Sequence, residues 1–199
     1  MIASESALSS SPNYYALAGW LSIASAVLII PEIGLTVFIG LLSPKLEIFL
    51  APLRVVNVVM GIFVLYMFRK LLNVCFRFHR ADTLIHVLIT VNVVFFLIGL
   101  IDIFAGLAGA GGGFEIAFSI VSMVLFVAYC IVNIIFGVTL LKLEDNMFRL
   151  LKPYAVMIIL SGALGATVIL IPFALLAAIA HMIILGMIFL RAREEVEFL

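Results

Sequence analysis

Glu32 and Asp102 are acids set inside long apolar runs, and Glu115 opens another such run. Arg54 enters an apolar run near them and is the closest base to all three in the topology argued below. A charge at bilayer depth costs about 2.5–3.5 kcal/mol on insertion scales, so these residues call for partners or for a purpose. Carboxylates beside one guanidinium suit the binding of a cation or the relay of protons. The same groups equally suit a structural ion pair with acids that reach back to the interface. Asn57 and Asn133 join this set through a shared pattern: Val56-Asn57 precedes Gly61, and Val132-Asn133 precedes Gly137. Glu32, Arg54, Asn57, Asp102 and Asn133 therefore make up the candidate intramembrane polar site.

The other reactive residue types point nowhere specific. His86 and His181 are a conceivable haem pair, but they are expected at different depths and no supporting spacing exists. His79 falls among basic loop residues and reads as solvated. Cys75 and Cys130 make neither a disulfide framework nor a metal spacing. No Ser/His/Asp arrangement and no paired His-and-acid motif occurs. The glycine-rich stretch Gly109–Gly113 lacks the Lys and Ser/Thr of a phosphate loop and reads as a tight turn. The expectation is no catalytic residue, no cofactor, no metal and no nucleic-acid partner.

Helices must position these residues. Hydrophobic residues make up 66% of the 199-residue chain, well above the roughly 45–50% of soluble domains. Mean hydropathy is +1.39. Uncharged apolar runs of about 18 or more residues read as membrane spans. Such runs cover residues 14–42, 49–68, 83–108, 114–143 and 151–190. The last is about twice the ~20 residues that one span needs. Pro172 sits near its middle and divides it, because proline removes a donor and breaks or kinks a helix. The fold class expected is an all-α transmembrane bundle of six helices, or five if Pro172 only kinks the last stretch. Pro31 poses a milder ambiguity, since a break there would make the second part of the first run re-entrant.

Charge supports six. Of the 11 Lys and Arg residues, only Lys45 and Arg54 lie outside the groups Arg69–Arg80, Lys142–Lys152 and Arg191–Arg193. Cytoplasmic loops retain excess Lys and Arg. Six helices with a cytoplasmic N-terminus put all three groups on that side, and five would move the last one outside. A polar tail over residues 1–13, a membrane domain over 14–191 and an acidic tail over 192–199 complete the organisation. A bacterial inner membrane is the default location.

Polar and small residues also follow helical faces. At ~100° per residue, Asn92, Gly99, Asp102 and Gly106 share an arc of roughly 80°. Ser119, Ser122, Tyr129, Asn133 and Gly137 do likewise. Such faces suit close helix approach and interhelical hydrogen bonds. Arg69, Asn73, Arg77 and Arg80 continue a helical stripe at the basic end of the second run. With Lys70, they form a candidate site for anionic lipid headgroups, each basic residue worth about 1 kcal/mol near such a surface. The expected function is that of a non-enzymatic membrane protein acting by helix packing, as a homo-oligomer or an accessory subunit of a larger complex. The alternative is a small cation- or proton-linked transporter or channel using Glu32 and Asp102.

Overall fold

Each long apolar run folds as a helix, and the longest folds as a pair. The computed structural model describes residues 12–42, 48–108, 112–143, 147–167 and 169–197. The helices are α1 (Pro12–Leu42), α2 (Ala51–Phe76), α3 (Asp82–Ala108), α4 (Gly112–Leu141), α5 (Met147–Ala166) and α6 (Ile171–Glu197). There is no strand among the described residues. All six helices are long and apolar enough to cross a membrane. The chain has the build of a multi-pass membrane protein. The expected polar stretch Ser4–Ser11, Lys45 and most of the glycine-rich turn, residues 109–111, lie outside the described residues.

The division at Pro172 is a true reversal. The chain turns through Thr167 and Leu170, a few residues before the proline. Pro172 then occupies the first turn of α6, where the missing N–H has no intrahelical partner to lose. Pro31 does the opposite of what a re-entrant segment requires: α1 runs unbroken through it for 31 residues. Apolar residues on both sides of the proline hold α1 helical, since unpaired backbone has no place in hydrocarbon.

The stripe from Arg69 to Arg80 is not one helix face. Helix α2 stops at Phe76, and Arg77 takes a left-handed conformation at φ 51°. The Arg77 and Phe78 N–H groups both return to the Leu72 carbonyl, which closes the helix end. Arg80 lies beyond, in a short 3-10 turn, His79–Ala81. The physical cause is Asp82. A carboxylate is favourable in the first turn of a helix, and this one opens α3 while accepting from Arg69 Nε at 3.0 Å and Asn73 Nδ2 at 2.8 Å. His86 Nε2 meets Arg69 Nη1 at 3.0 Å. The chain reverses where these groups clasp.

Consecutive helices run antiparallel and each packs on its neighbours in the chain, while α6 returns to α1. The result is a ring closed in sequence order, with the described ends of the chain, Pro12 and Glu197, on one face. This is called the end face below, and the opposite side the far face. The flank α4–α5–α6–α1 is the tight part of the ring, and the α2–α3 hairpin closes it more loosely. Glycine makes the tight crossings. A Cβ on Gly186 would fall 2.9 Å from the Gly19 carbonyl oxygen, and one on Gly137 would fall 2.8 Å from that of Ala155. Helix backbones meet there directly, as small residues permit.

The core fills the end-face half. Phe68 is fully buried, and its ring meets Phe136, Tyr154 and Phe189 edge-on at centroid distances of 6.3, 5.3 and 6.2 Å. Edge-to-face pairs add about 0.5–1.5 kcal/mol each beyond area burial. This aromatic cluster plugs the ring on the end-face side. Toward the far face the helices lose neighbours. Phe148 and Arg149 interrupt the start of α5 with left-handed backbone, so at ~1.5 Å per residue its regular part, residues 150–166, is about 25 Å long against about 45 Å for α4. The far ends of α1 and α4 therefore overhang the short α5–α6 turn, and Phe38, Ile116 and Ile120 are exposed there.

Candidate functional site

A polar chamber lies above the aromatic plug, at mid-height in the ring. Its volume is about 80 Å³, and every helix contributes to its wall. Helix α1 supplies Ser22 and Ser25, and α6 supplies His181. The ring's tight seam sets these three: Gly19 and Gly186 bring α1 and α6 into backbone contact one turn closer to the end face. Ser22 Oγ donates to the Met182 carbonyl at 2.7 Å, which fixes the register of the seam. Ser25 is 3% exposed, and its hydroxyl has no hydrogen-bond partner. The buried His181 Nδ1 also lacks one. The Tyr154 ring stands edge-on to His181 at 6.0 Å.

Asn92 of α3, with Tyr129 and Asn133 of α4, makes the opposite wall. Asn92 Nδ2 donates to the Leu88 carbonyl at 2.8 Å, and Asn133 Nδ2 donates to the Tyr129 carbonyl at 3.0 Å. Each amide thus spends a donor on its own helix. Phe95 supports the Tyr129 ring edge-on at 6.0 Å. Gly61 of α2 lines the chamber too, with no atom within 4 Å of where its Cβ would be. Buried polar groups without partners are rare in folded proteins. Two of them on adjacent residues of one chamber distinguish it from a packing defect.

A second layer lies toward the far face. Glu32 is about 10 Å along α1 from Ser25 and on the same helical face. Its Oε2 accepts from Asn57 Nδ2 at 2.9 Å, joining α1 to α2. The Arg54 guanidinium reaches α3, with Nη1 4.0 Å from the position of a Gly99 Cβ. Among the described residues no ion pair joins Arg54 to Glu32 or Asp102.

The expected polar site is therefore divided by the fold. Asn133 is in the chamber, Glu32 and Asn57 form a pair above it, and Arg54 lies in that upper layer. Asp102 is exposed on the outer surface of α3. The helical face it shares with Asn92 turns outward near the far face, where α3 and α4 have few neighbours. Neighbouring Ile101 and Phe104 are exposed as well. The headgroup candidates sit at the end face. Arg77 and Arg80 are exposed in the α2–α3 reversal, Arg69 is bound to Asp82, and Lys70 precedes them on α2.

Sequence reasoning noted His181 but not its partners Ser22, Ser25 and Tyr154. Ser22 and Ser25 are one turn apart, and Ser25 and Glu32 about two turns apart, on one face of α1. That spacing is the signal that finds them. His86 and His181 do not share a site: the first binds Arg69 near the end face and the second lines the chamber. Among the described residues no group of three or more His, Cys, Asp and Glu is placed to hold a metal ion. A larger cavity of about 170 Å³ lies between α4, α5 and α6, but apolar and small residues dominate its wall. The chamber is the better candidate because it is more polar and holds two buried polar atoms without partners, Ser25 Oγ and His181 Nδ1. No family model, curated protein or solved structure matches the chain.

Proposed function

We propose that this is a non-enzymatic integral membrane protein that holds a small polar solute in the central chamber, in the manner of a carrier. One observation supports it most: all helices of the ring contribute to a chamber with unpartnered buried polar groups. Pockets that bind small molecules combine an apolar wall with a few convergent polar groups. The Glu32–Asn57 pair lies on the far-face side of the chamber, and the Phe68 cluster fills the end-face side. That is the arrangement of a carrier open to one side. In this reading both termini are cytoplasmic, because Arg77, Arg80, Arg191 and Arg193 gather at the end face. The membrane is a bacterial inner membrane, and Arg77, Arg80 and Lys70 meet anionic headgroups.

The test is flux into proteoliposomes of purified protein, measured with a panel of small polar solutes. Saturable flux that falls in Asn133→Leu, in protein that still folds, supports the carrier. A second reading, an oligomeric or accessory subunit, is favoured by the exposed apolar ends of α1 and α4 at the far face. Stoichiometric co-purification of a partner, with no flux of any solute, would establish that reading instead.

A further inference from the structure

The polar lining of the chamber is built from neutral amide and hydroxyl groups with several acceptor oxygens. A backbone carbonyl only accepts, so the amide groups that meet Leu88 and Tyr129 carbonyls must be the NH₂ ends of Asn92 and Asn133. Both Oδ1 atoms remain to accept, and each amide keeps a second N–H. Ser22 has spent its proton on the Met182 carbonyl, which leaves its lone pairs. Ser25 Oγ and His181 Nδ1 are buried without partners. The Tyr129, Tyr154 and Phe136 rings complete the wall. No Lys or Arg lines the chamber among the described residues.

We propose that the chamber binds a small ammonium-type cation, a compact solute with several N–H donors and few heavy atoms. This rests on the chamber being the working site, as argued above, but not on transport. An ammonium group offers donors to the Asn92, Asn133 and Ser22 oxygens and positive charge to the aromatic rings. Cation–π attraction adds about 0.5–2 kcal/mol when the ring lies within ~6 Å. An anion would find no Lys or Arg among the described lining residues. The Arg54 guanidinium lies outside the chamber, near Gly99 of α3. Size narrows the class further: 80 Å³ is well below the ~150 Å³ that houses a benzene. That fits ammonium or methylammonium and excludes a sugar.

The test is binding of radiolabelled methylammonium to the purified full-length protein in nanodiscs at constant ionic strength, with acetate and urea as comparison solutes. Saturable methylammonium binding is expected, with neither comparison solute competing. Asn92→Leu and Asn133→Leu should each weaken it roughly tenfold, the usual scale for one hydrogen bond to a charged group. Asn92→Asp carries the opposite sign: a carboxylate in the wall should tighten methylammonium roughly tenfold. Unchanged melting midpoints without ligand confirm that the variants fold. The proposal is overturned if methylammonium fails to bind, if acetate or urea binds in its place, or if Asn92→Asp weakens binding. Methylammonium binding without flux would remove the carrier reading and leave this proposal standing. Flux of another solute without methylammonium binding would do the reverse.

Discussion

At the scale of single residues, the ionisable groups of the apolar runs differ in how far the fold commits them. Glu32 is half-buried and takes a hydrogen bond from Asn57. Removing that donor leaves a carboxylate short of a partner, at a cost of about 1–3 kcal/mol. Asn57→Leu should therefore lower the thermal midpoint by several degrees. Glu32→Gln keeps an acceptor oxygen and should lower it little, while reducing any flux that needs the charge. Asp102 is exposed with no partner among the described residues, so Asp102→Asn should stay within about 0.5 kcal/mol of the parent. Thermal melts of the three variants in one detergent check this order. Glu32 and Asp102 look equivalent in sequence, as single acids in apolar runs. Their difference depends on which way each helix is rotated, and local periodicity does not contain that.

Helices are held together by glycine seams on one flank and by a polar clasp on the other. Gly137→Leu drives side-chain atoms into the Ala155 backbone and Ile159, so it should separate α4 from α5 and destabilise by about 2 kcal/mol or more. Gly61→Ala meets no atom within 4 Å and should leave the thermal midpoint nearly unchanged. The contrast between the two, read by melting and by size-exclusion profile, separates seam glycines from the one at the chamber wall. These seams were only partly legible in advance. Gly137 lies on a recognisable small-residue face of α4, but Gly19 pairs with Gly186 across nearly the whole chain. Nothing local to either segment specifies that pairing. The Arg69–Asp82 clasp was misread as a continuing helix because charge periodicity ran on past Phe76. The Asp82-Thr83 step, an acid just before an apolar run, was the helix-start signal to weigh against it.

For the whole molecule, an even number of spans puts both termini on one side. Cys75 is exposed in the last turn of α2 at the end face, and Cys130 is buried against α5. A membrane-impermeant maleimide should label Cys75 from the side on which a C-terminal reporter works, and should leave Cys130 unlabelled until the protein is unfolded. Labelling of Cys75 from the opposite side would break the common placement of α2's end and the termini. Phe68 is central to the plug between chamber and end face. Phe68→Ala should cost roughly 3–5 kcal/mol. In proteoliposomes it should also raise passive leak of small solutes, which a merely structural core residue away from a permeation path would not do.

The sequence by itself determined the helical, membrane-spanning build and where positive charge gathers along the chain, and it favoured six helices over five through a break at Pro172. Each of these follows from one-dimensional quantities: length of apolar run, a missing N–H, and spacing of Lys and Arg. Only the tertiary structure decided that Ser25, His181, Asn92 and Asn133 face a common chamber, that Glu32 meets Asn57, and that Asp102 faces outward. In a membrane, apolar side chains are accepted on every face of a helix, so hydropathy does not fix rotation about its axis. The glycine crossings and the Ser22–Met182 bond fix it, and both depend on residues far apart in the chain.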